Sequence, residues 1–343
     1  MKSAAKVDAP PTRVWSWFTP EEFSRRRAHV FEQIGDAAAV LQGAGPLRGF
    51  ELFRQTNEVL YLTGLEAPQA YVLLDGQAQT ASAYLPCRPE RTPEDETLAF
   101  AEDADRICAL TGLDAVYPWS ELEKHLARRA VIFTPFQPGE GRMSSRDVLV
   151  HAAHMEASDP WDGGGTRQDR FIARLQERFP DAECRDLSPI LDAMRLIKSP
   201  QEITVMRRAG ELSARAVMEA MAITRPGLRE YDLHAVMHRV FIESGARGEG
   251  YRAIIPAGRE NAWDGHYCRN DGLLRDGDLI LMDCAPDVCN YTSDIGRMWP
   301  VNGCYTAEQR ALYGYIVRFH QALMRRVRPG VLPRDAMQET ADE

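Results

Sequence analysis

The first half of the chain alternates helical and extended signals. Thr19-Pro20-Glu21-Glu22 combines a capping residue, a proline suited to the first helical position and a glutamate three residues on. It predicts a helix through about Ile34. Ala37 to Leu41 is a short unbroken apolar run and predicts a buried strand. Two more runs, Ala70 to Leu74 and Gln79 to Leu85, flank Asp75-Gly76, a pair that favours hairpin turns. Arg88 to Asp95 is rich in proline and charge and reads as a surface loop. Ser120-Glu121-Leu122-Glu123 opens another helix, with a strand after it at Ala130 to Thr134. Asp159 to Thr166, with Gly163-Gly164-Gly165, reads as a flexible connection. This is the pattern of a mixed α/β domain of roughly 190 residues.

The second half opens on Ser199-Pro200-Gln201-Glu202, a cap, a first-turn proline and a reciprocal glutamate. Ile203, Met206, Ala209, Ala216, Val217 and Ala220 continue a helical stripe until Pro226-Gly227 stops it. A second helix carries Leu233, Met237, Val240 and Phe241 and ends at Gly245. Strands are predicted at Tyr251 to Pro256, Asp278 to Asp283 and Asn290 to Ile295. A last helix starts at Thr306-x-x-Gln309 and is expected to bury Leu312, Ile316, Phe319 and Leu323. The order suggests one layer of helices on a mainly antiparallel sheet.

Composition narrows the function classes. The 343 residues are 44% apolar and 27% charged, ordinary for a globular protein, and the net charge is −9. That balance argues against a general nucleic-acid binder. No apolar run approaches the ~20 residues of a membrane span, and Met1 to Phe18 lacks the apolar core of a secretory signal. The seven cysteines are odd in number and form no C-x-x-C pair, which points away from a disulfide scaffold or zinc ribbon and toward the reducing cytoplasm.

Candidate chemistry concentrates between Asp278 and Asp294. Leu279 to Met282 reads as a buried strand that ends on a carboxylate, Asp283. Pro286-Asp287 supplies a turn, and the chain returns through Tyr291 and Thr292 to a second carboxylate, Asp294. A hairpin centred between Val288 and Cys289 would set the two aspartates opposite each other, with Cβ atoms about 4.5–5.5 Å apart. Carboxylates that close need a divalent cation or a shared proton. A longer or slipped hairpin would instead leave both facing solvent, and register is not decided without the partners. His266 lies 17 residues before Asp283. Other groupings carry less. His234 and His238 have zinc-ligand spacing but no H-E-x-x-H, and read as a solvated helix face. His151 and His154, near Asp159 and Asp162, read as a helix end. Neither a phosphate-binding glycine motif nor a nucleophile elbow is present.

These segments resemble aminopeptidase P and the prolidases, metallopeptidases of the pita-bread fold. Phe53-Arg-Gln-Thr-Asn-Glu-Val-Leu-Tyr-Leu-Thr-Gly64 is similar to the signature of the aminopeptidase P N-terminal domain. Arg195-Leu-Ile-Lys-Ser-Pro-Gln-Glu-Ile203 is similar to the opening of the catalytic domain, and Tyr291-Thr-Ser-Asp-Ile-Gly-Arg-Met-Trp-Pro-Val-Asn-Gly303 to its most specific strand-turn segment. The resemblance implies an α/β N-terminal domain of the creatinase/aminopeptidase P type over residues 1–190, then a partial α+β pita-bread domain over 191–343. It implies two divalent metals, typically manganese, held by two aspartates, a histidine and two glutamates. Asp283 and Asp294 match the aspartates, and His266 matches a histidine beside the substrate. Two such metals would hold a bridging hydroxide and polarise the scissile carbonyl. The implied substrates are peptides with proline second, cleaved before it, in a cytoplasmic homo-oligomer with no nucleic-acid or membrane partner.

Two departures are small: Cys284-Ala285 stands where the family has Asp-x-Gly, and Gly296 where threonine is commoner. A third is larger. After Asp294 the chain holds one histidine, His320, and three glutamates, Glu308, Glu339 and Glu343, and the family's later histidine and glutamate motifs are missing. The expectation is a C-terminally truncated, inactive relative. The alternatives are a non-catalytic peptide-binding paralogue and a prolidase acting on Xaa-Pro dipeptides.

Overall fold

A computed structural model describes residues 12–343 apart from 48, 51, 91–99, 142, 162 and 266. It divides into two compact units. The first holds the chain up to Ala209 with Ser244–Tyr251 and Pro286–Thr292; the second holds Gly210–Glu243, Arg252–Ala285 and Ser293–Glu343.

In the first unit the elements run α1 (Pro20–Ile34), β1 (Ala38–Gln42), α2 (Asn57–Thr63), β2 (Tyr71–Asp75), β3 (Thr80–Leu85), α3 (Ala104–Thr111) and β4 (Ala115–Pro118). They continue with α4 (Leu122–Leu126), β5 (Val131–Thr134), α5 (Arg146–Ser158), α6 (Arg167–Arg178), β6 (Glu183–Asp186) and α7 (Ser188–Leu196). The six strands form one mixed sheet in the order β4-β3-β2-β1-β5-β6, antiparallel only at β1–β2 and β2–β3. β1 is apolar and buried from Ala38 to Leu41 because helices cover both its faces. Ala39 and Leu41 enter one core with Val30, Phe31 and Leu62, while Ala38 and Val40 enter the other with Tyr84, Phe171 and Leu175.

Two local expectations are altered. The β2–β3 hairpin forms, but its loop is four residues long, with Asp75 paired to Thr80. Asp75 Oδ1 accepts the Gln77 and Ala78 amides, each at 3.1 Å, and so closes the turn. At α1 the proline and cap position stand, yet the reciprocal box does not form. The Thr19 side chain caps nothing, and its N–H donates to Gln201 Oε1 at 3.2 Å. Glu22 turns instead into the interior to meet Arg26, because a buried cation needs its carboxylate more than the helix end does.

The chain continues through α8 (Pro200–Ile223), α9 (Glu230–Glu243), α10 (Gly258–Asn261), β7 (Leu279–Cys284), β8 (Ile295–Pro300), α11 (Ala307–Arg326) and α12 (Pro333–Ala341). The expected box opens α8: Ser199 N–H donates to Glu202 Oε2 at 2.8 Å, and Glu202 N–H donates to Ser199 Oγ at 3.2 Å. In the second unit β7 and β8 pair antiparallel. The segment expected as a strand at Tyr251 to Pro256 reaches β7 through one bridge, Ile254 to Asp283, and Ala257 just beyond it bridges Ile280.

The last predicted strand is displaced: the reading placed it at Asn290 to Ile295, and the ladder occupies Ile295–Pro300. The last helix also differs. Thr306 and Gln309 cap α11 as expected, but Leu312 is 65% and Ile316 56% exposed. Phe319 and Leu323 are only half-buried. Among the described elements α12 is the main one packed on α11, and Ala322 is the position α11 buries. Periodicity marks an apolar face but does not supply its cover.

All seven cysteines are free thiols. Cys284 and Cys289 are buried, and burial pushes the Cys289 thiol up to about 12. Thiolate is the reactive form. Titration of the native protein with an aromatic disulfide reagent near pH 8 should therefore release a fast phase from the exposed Cys87, Cys268 and Cys304. Rapid labelling of Cys289 by mass mapping would contradict this burial.

Candidate functional site

Asp283 is the fifth residue of β7, half-buried, and its backbone is held from both sides. Its N–H donates to the Ile254 carbonyl at 2.9 Å, its own carbonyl accepts from Ile254 N–H at 3.0 Å, and on the other side it pairs with Gly296. The residue opposite Asp283 is thus a glycine, and a Cβ there would stand 4.0 Å from the Asp283 Cβ. Asp294 precedes β8 by one residue and is exposed. The two carboxylates are diagonal neighbours rather than opposed, a relation with a usual spacing of about 7–8 Å. This corrects the register anticipated from the sequence by two residues.

The cause lies in the turn, which belongs to the first unit. Val288 and Tyr291 exchange backbone hydrogen bonds of 2.8 and 3.0 Å, leaving Cys289 and Asn290 as a two-residue loop. Both carry positive φ, 54° and 68°, as the mirror-image hairpin turns require. Asn290 tolerates that region and is clamped: its Nδ2 donates to the Gln55 carbonyl at 3.0 Å and to Asn57 Oδ1 at 2.9 Å. Asp287 accepts Arg54 Nε at 3.0 Å and the Asn290 amide at 2.7 Å. The turn is therefore centred between Cys289 and Asn290, one residue later than anticipated.

Asp287 was read as a turn residue, but Asn290 and Arg54 escaped the reading from sequence, although an asparagine at a left-handed position was a legible signal. The three segments singled out there do converge. Asn57 and Tyr61 from the first, Arg195 and Lys198 from the second, and Tyr291 and Thr292 from the third line one cavity of about 460 Å³ in the first unit. Beside it burial raises the Glu58 carboxyl, while Arg195 and Arg146 at 3.7 and 3.5 Å act in the opposite sense.

His266 lies outside the described residues. Its neighbour Tyr267 is tied to a carboxylate that the sequence did not single out. Glu230, at the start of α9, is fully buried and accepts four hydrogen bonds. They come from Ala257 N at 2.7 Å, Asn261 Nδ2 at 3.0 Å, Tyr267 Oη at 2.7 Å and Gly272 N at 2.8 Å. Burial, and then the bond to Glu230, push the Tyr267 phenol up to about 12. No spacing rule reveals such a residue, since its donors come from a loop about 30–40 positions away in the chain. Elsewhere His151, His154, His238 and His320 are exposed and His234 is half-buried against Arg252. Among the described residues no group of three or more His, Cys, Asp or Glu side chains gathers to hold a metal ion.

Comparison with known proteins decides the family. Residues 23–131 match the aminopeptidase P N-terminal domain and residues 204–342 match metallopeptidase family M24. The Xaa-Pro aminopeptidase of Escherichia coli is 32% identical over 90% of this chain, which spans 68% of that relative. This chain belongs to the Xaa-Pro aminopeptidase family. The Haemophilus influenzae Xaa-Pro aminopeptidase is 30% identical, with 90% of this chain and 67% of the relative covered. Among solved structures, E. coli aminopeptidase P with the inhibitor Pro-Leu superposes with a TM-score of 0.73 at 28% identity, covering 94% of this chain and 72% of that one. The Pseudomonas aeruginosa aminopeptidase PepP gives 0.75 at 29%, covering 96% and 72%. The fold is accordingly the α/β aminopeptidase P N-terminal domain followed by pita-bread architecture, and the family is one of metallopeptidases. No described helix is long and apolar enough to cross a membrane.

Proposed function

We propose that this chain supplies the N-terminal domain, residues 1–190, and the first half of the catalytic domain, residues 191–343, of a cytoplasmic Xaa-Pro aminopeptidase. Its substrates are peptides with proline second, from which the first residue is released, and the full assembly is a homo-oligomer. Asp283 and Asp294 are its metal-ligand candidates and His266 the candidate beside the substrate. The observation that carries the reading is the 32% identity to the E. coli enzyme across 90% of the chain.

Carboxylate donors suit a hard divalent ion such as manganese, which in this family would supply Lewis-acid chemistry. The donors at hand do not complete a centre for it: Asp283 is half-buried, Asp294 is exposed, and no third described ligand joins them. On this reading the 343 residues alone neither bind manganese tightly nor turn over. Calorimetric titration should show weak manganese binding, and an Xaa-Pro-Xaa peptide should stay intact with the metal in excess. Appending the remaining segment of the E. coli relative should restore cleavage. Asp283→Asn in that chimera should then remove more than about 100-fold of the rate, since even outer partners of metal ligands contribute 10–100-fold. Two tight manganese sites or cleavage by the 343 residues alone would defeat the inactivity claim. An inactive, folded chimera would defeat the assignment of function.

A further inference from the structure

A second pocket, of about 480 Å³, opens on the sheet of the first unit and shares no lining residue with the cavity described above. Its floor is made by alternate positions of neighbouring strands, Thr80, Ser82 and Tyr84 on β3 and Tyr117 on β4. Its wall is His125 of α4 and the Arg128-Arg129 pair that follows.

The hydrogen-bonding capacity of these groups is lopsided. Asp75, the one carboxylate lining the pocket, is already engaged. One of its oxygens takes the Gln77 and Ala78 amides and the other is ion-paired with Arg129. Lys124 is paired with Glu121 at 2.8 Å. Tyr84 is buried, which raises its phenol and keeps the proton on it. That hydroxyl lies 2.6 Å from His125 Nδ1 and engages it, so Nε2 is the ring nitrogen left to meet a ligand. Tyr117 packs edge-on against the same ring at 4.8 Å and holds its orientation.

What remains is a set of donors. Arg128 makes no hydrogen bond or ion pair among the described residues, and the Thr80, Ser82 and Tyr117 hydroxyls likewise have no partner there. Arg128 also sits at φ 67°, a left-handed conformation that a non-glycine side chain adopts at a cost. A guanidinium, an imidazole nitrogen and three hydroxyls outnumber the two oxygens of a carboxylate. They suit the several acceptor oxygens of a phosphate group.

We propose that this pocket binds a phosphate group, either the free ion or a small phosphate monoester, through Arg128 and His125 Nε2. The site is independent of peptide cleavage. The test is calorimetric titration of the 343-residue chain with inorganic phosphate and with phenyl phosphate, at constant ionic strength in a phosphate-free buffer. Saturable one-to-one binding of phosphate alone assigns the site to the free ion, and tighter binding of phenyl phosphate assigns it to monoesters. Arg128→Gly removes the guanidinium while relieving the left-handed strain, so it should leave the melting temperature equal or higher. The same variant should weaken binding about tenfold or more, as expected for loss of a charged hydrogen bond. Absence of saturable heat with both probes, or unchanged affinity in a folded Arg128→Gly protein, overturns the proposal.

Discussion

Glu230→Ala is expected to cost about 3–5 kcal/mol of stability in the second unit, more than most single substitutions. The carboxylate is fully buried and receives two backbone amides, a side-chain amide and a phenol. Removing it strands the Ala257 and Gly272 amides, while the Tyr267 hydroxyl keeps Asp271 Oδ1 at 3.0 Å and the Asn261 amide keeps Tyr267 Oη at 3.2 Å. Each stranded group costs about 1–3 kcal/mol before relaxation. Glu230→Gln keeps the shape but turns one acceptor into a donor that faces other donors, so it should cost about 1–3 kcal/mol. Denaturant midpoints give the total. Amide exchange gives the location, because Ala257 and Gly272 should lose protection ahead of the rest of the unit. An alanine variant within about 0.5 kcal/mol of the parent would show that water replaces the carboxylate and that the loop before Asp283 is held by other means.

Arg26→Ala should be comparably damaging in the first unit, by about 3–5 kcal/mol. Arg26 has a side chain only 4% exposed and sits between Glu22 and Glu202, themselves 3% and 4% exposed, at 3.0 and 3.6 Å. Its Nη1 donates to the Tyr61 carbonyl at 2.8 Å, and its guanidinium lies over the Phe18 and Tyr61 rings at 4.9 and 4.1 Å. Deleting the cation strands buried carboxylates and removes packing from the Phe18, Phe23 and Tyr61 rings. Arg26→Lys retains the charge without the planar fork and should recover only part of the loss. An exposed ion pair would cost under about 1 kcal/mol on truncation, so a fall that small in chemical denaturation would contradict the buried network.

Glu22 and Glu230 mark where the sequence stopped being legible. Glu22 was read as half of a capping box, and Glu230 was not singled out. Both are fixed by groups far along the chain: Arg26, which Glu22 meets, is held by Tyr61 and Glu202, and Glu230 takes its donors from the segment Ala257 to Gly272. Signals that need only near neighbours did translate into structure. The proline at the start of α1, the Ser199–Glu202 box of α8 and the Thr306–Gln309 box of α11 are within one helical turn. The strand carrying Asp283 likewise followed from its own apolar side chains, although it runs one residue further, to Cys284, and buries only alternate positions.

Register and cover could not be read in that way. A hairpin register depends on one turn, and a slip there moves every cross-strand pair. Here the turn is centred by left-handed Cys289 and Asn290 and by a clamp from Gln55 and Asn57, more than 230 positions earlier, so Asp283 faces Gly296 and not Asp294. The apolar stripe of α11 was equally plain in the sequence, but burial is a property of two surfaces and the stripe specifies one. Residue type and spacing thus settled where α1, α8 and α11 start and which carboxylates lie along the β7–β8 hairpin. Tertiary contacts settled which residues those carboxylates face, because strand pairing and burial are decided by groups that the local chain does not contain.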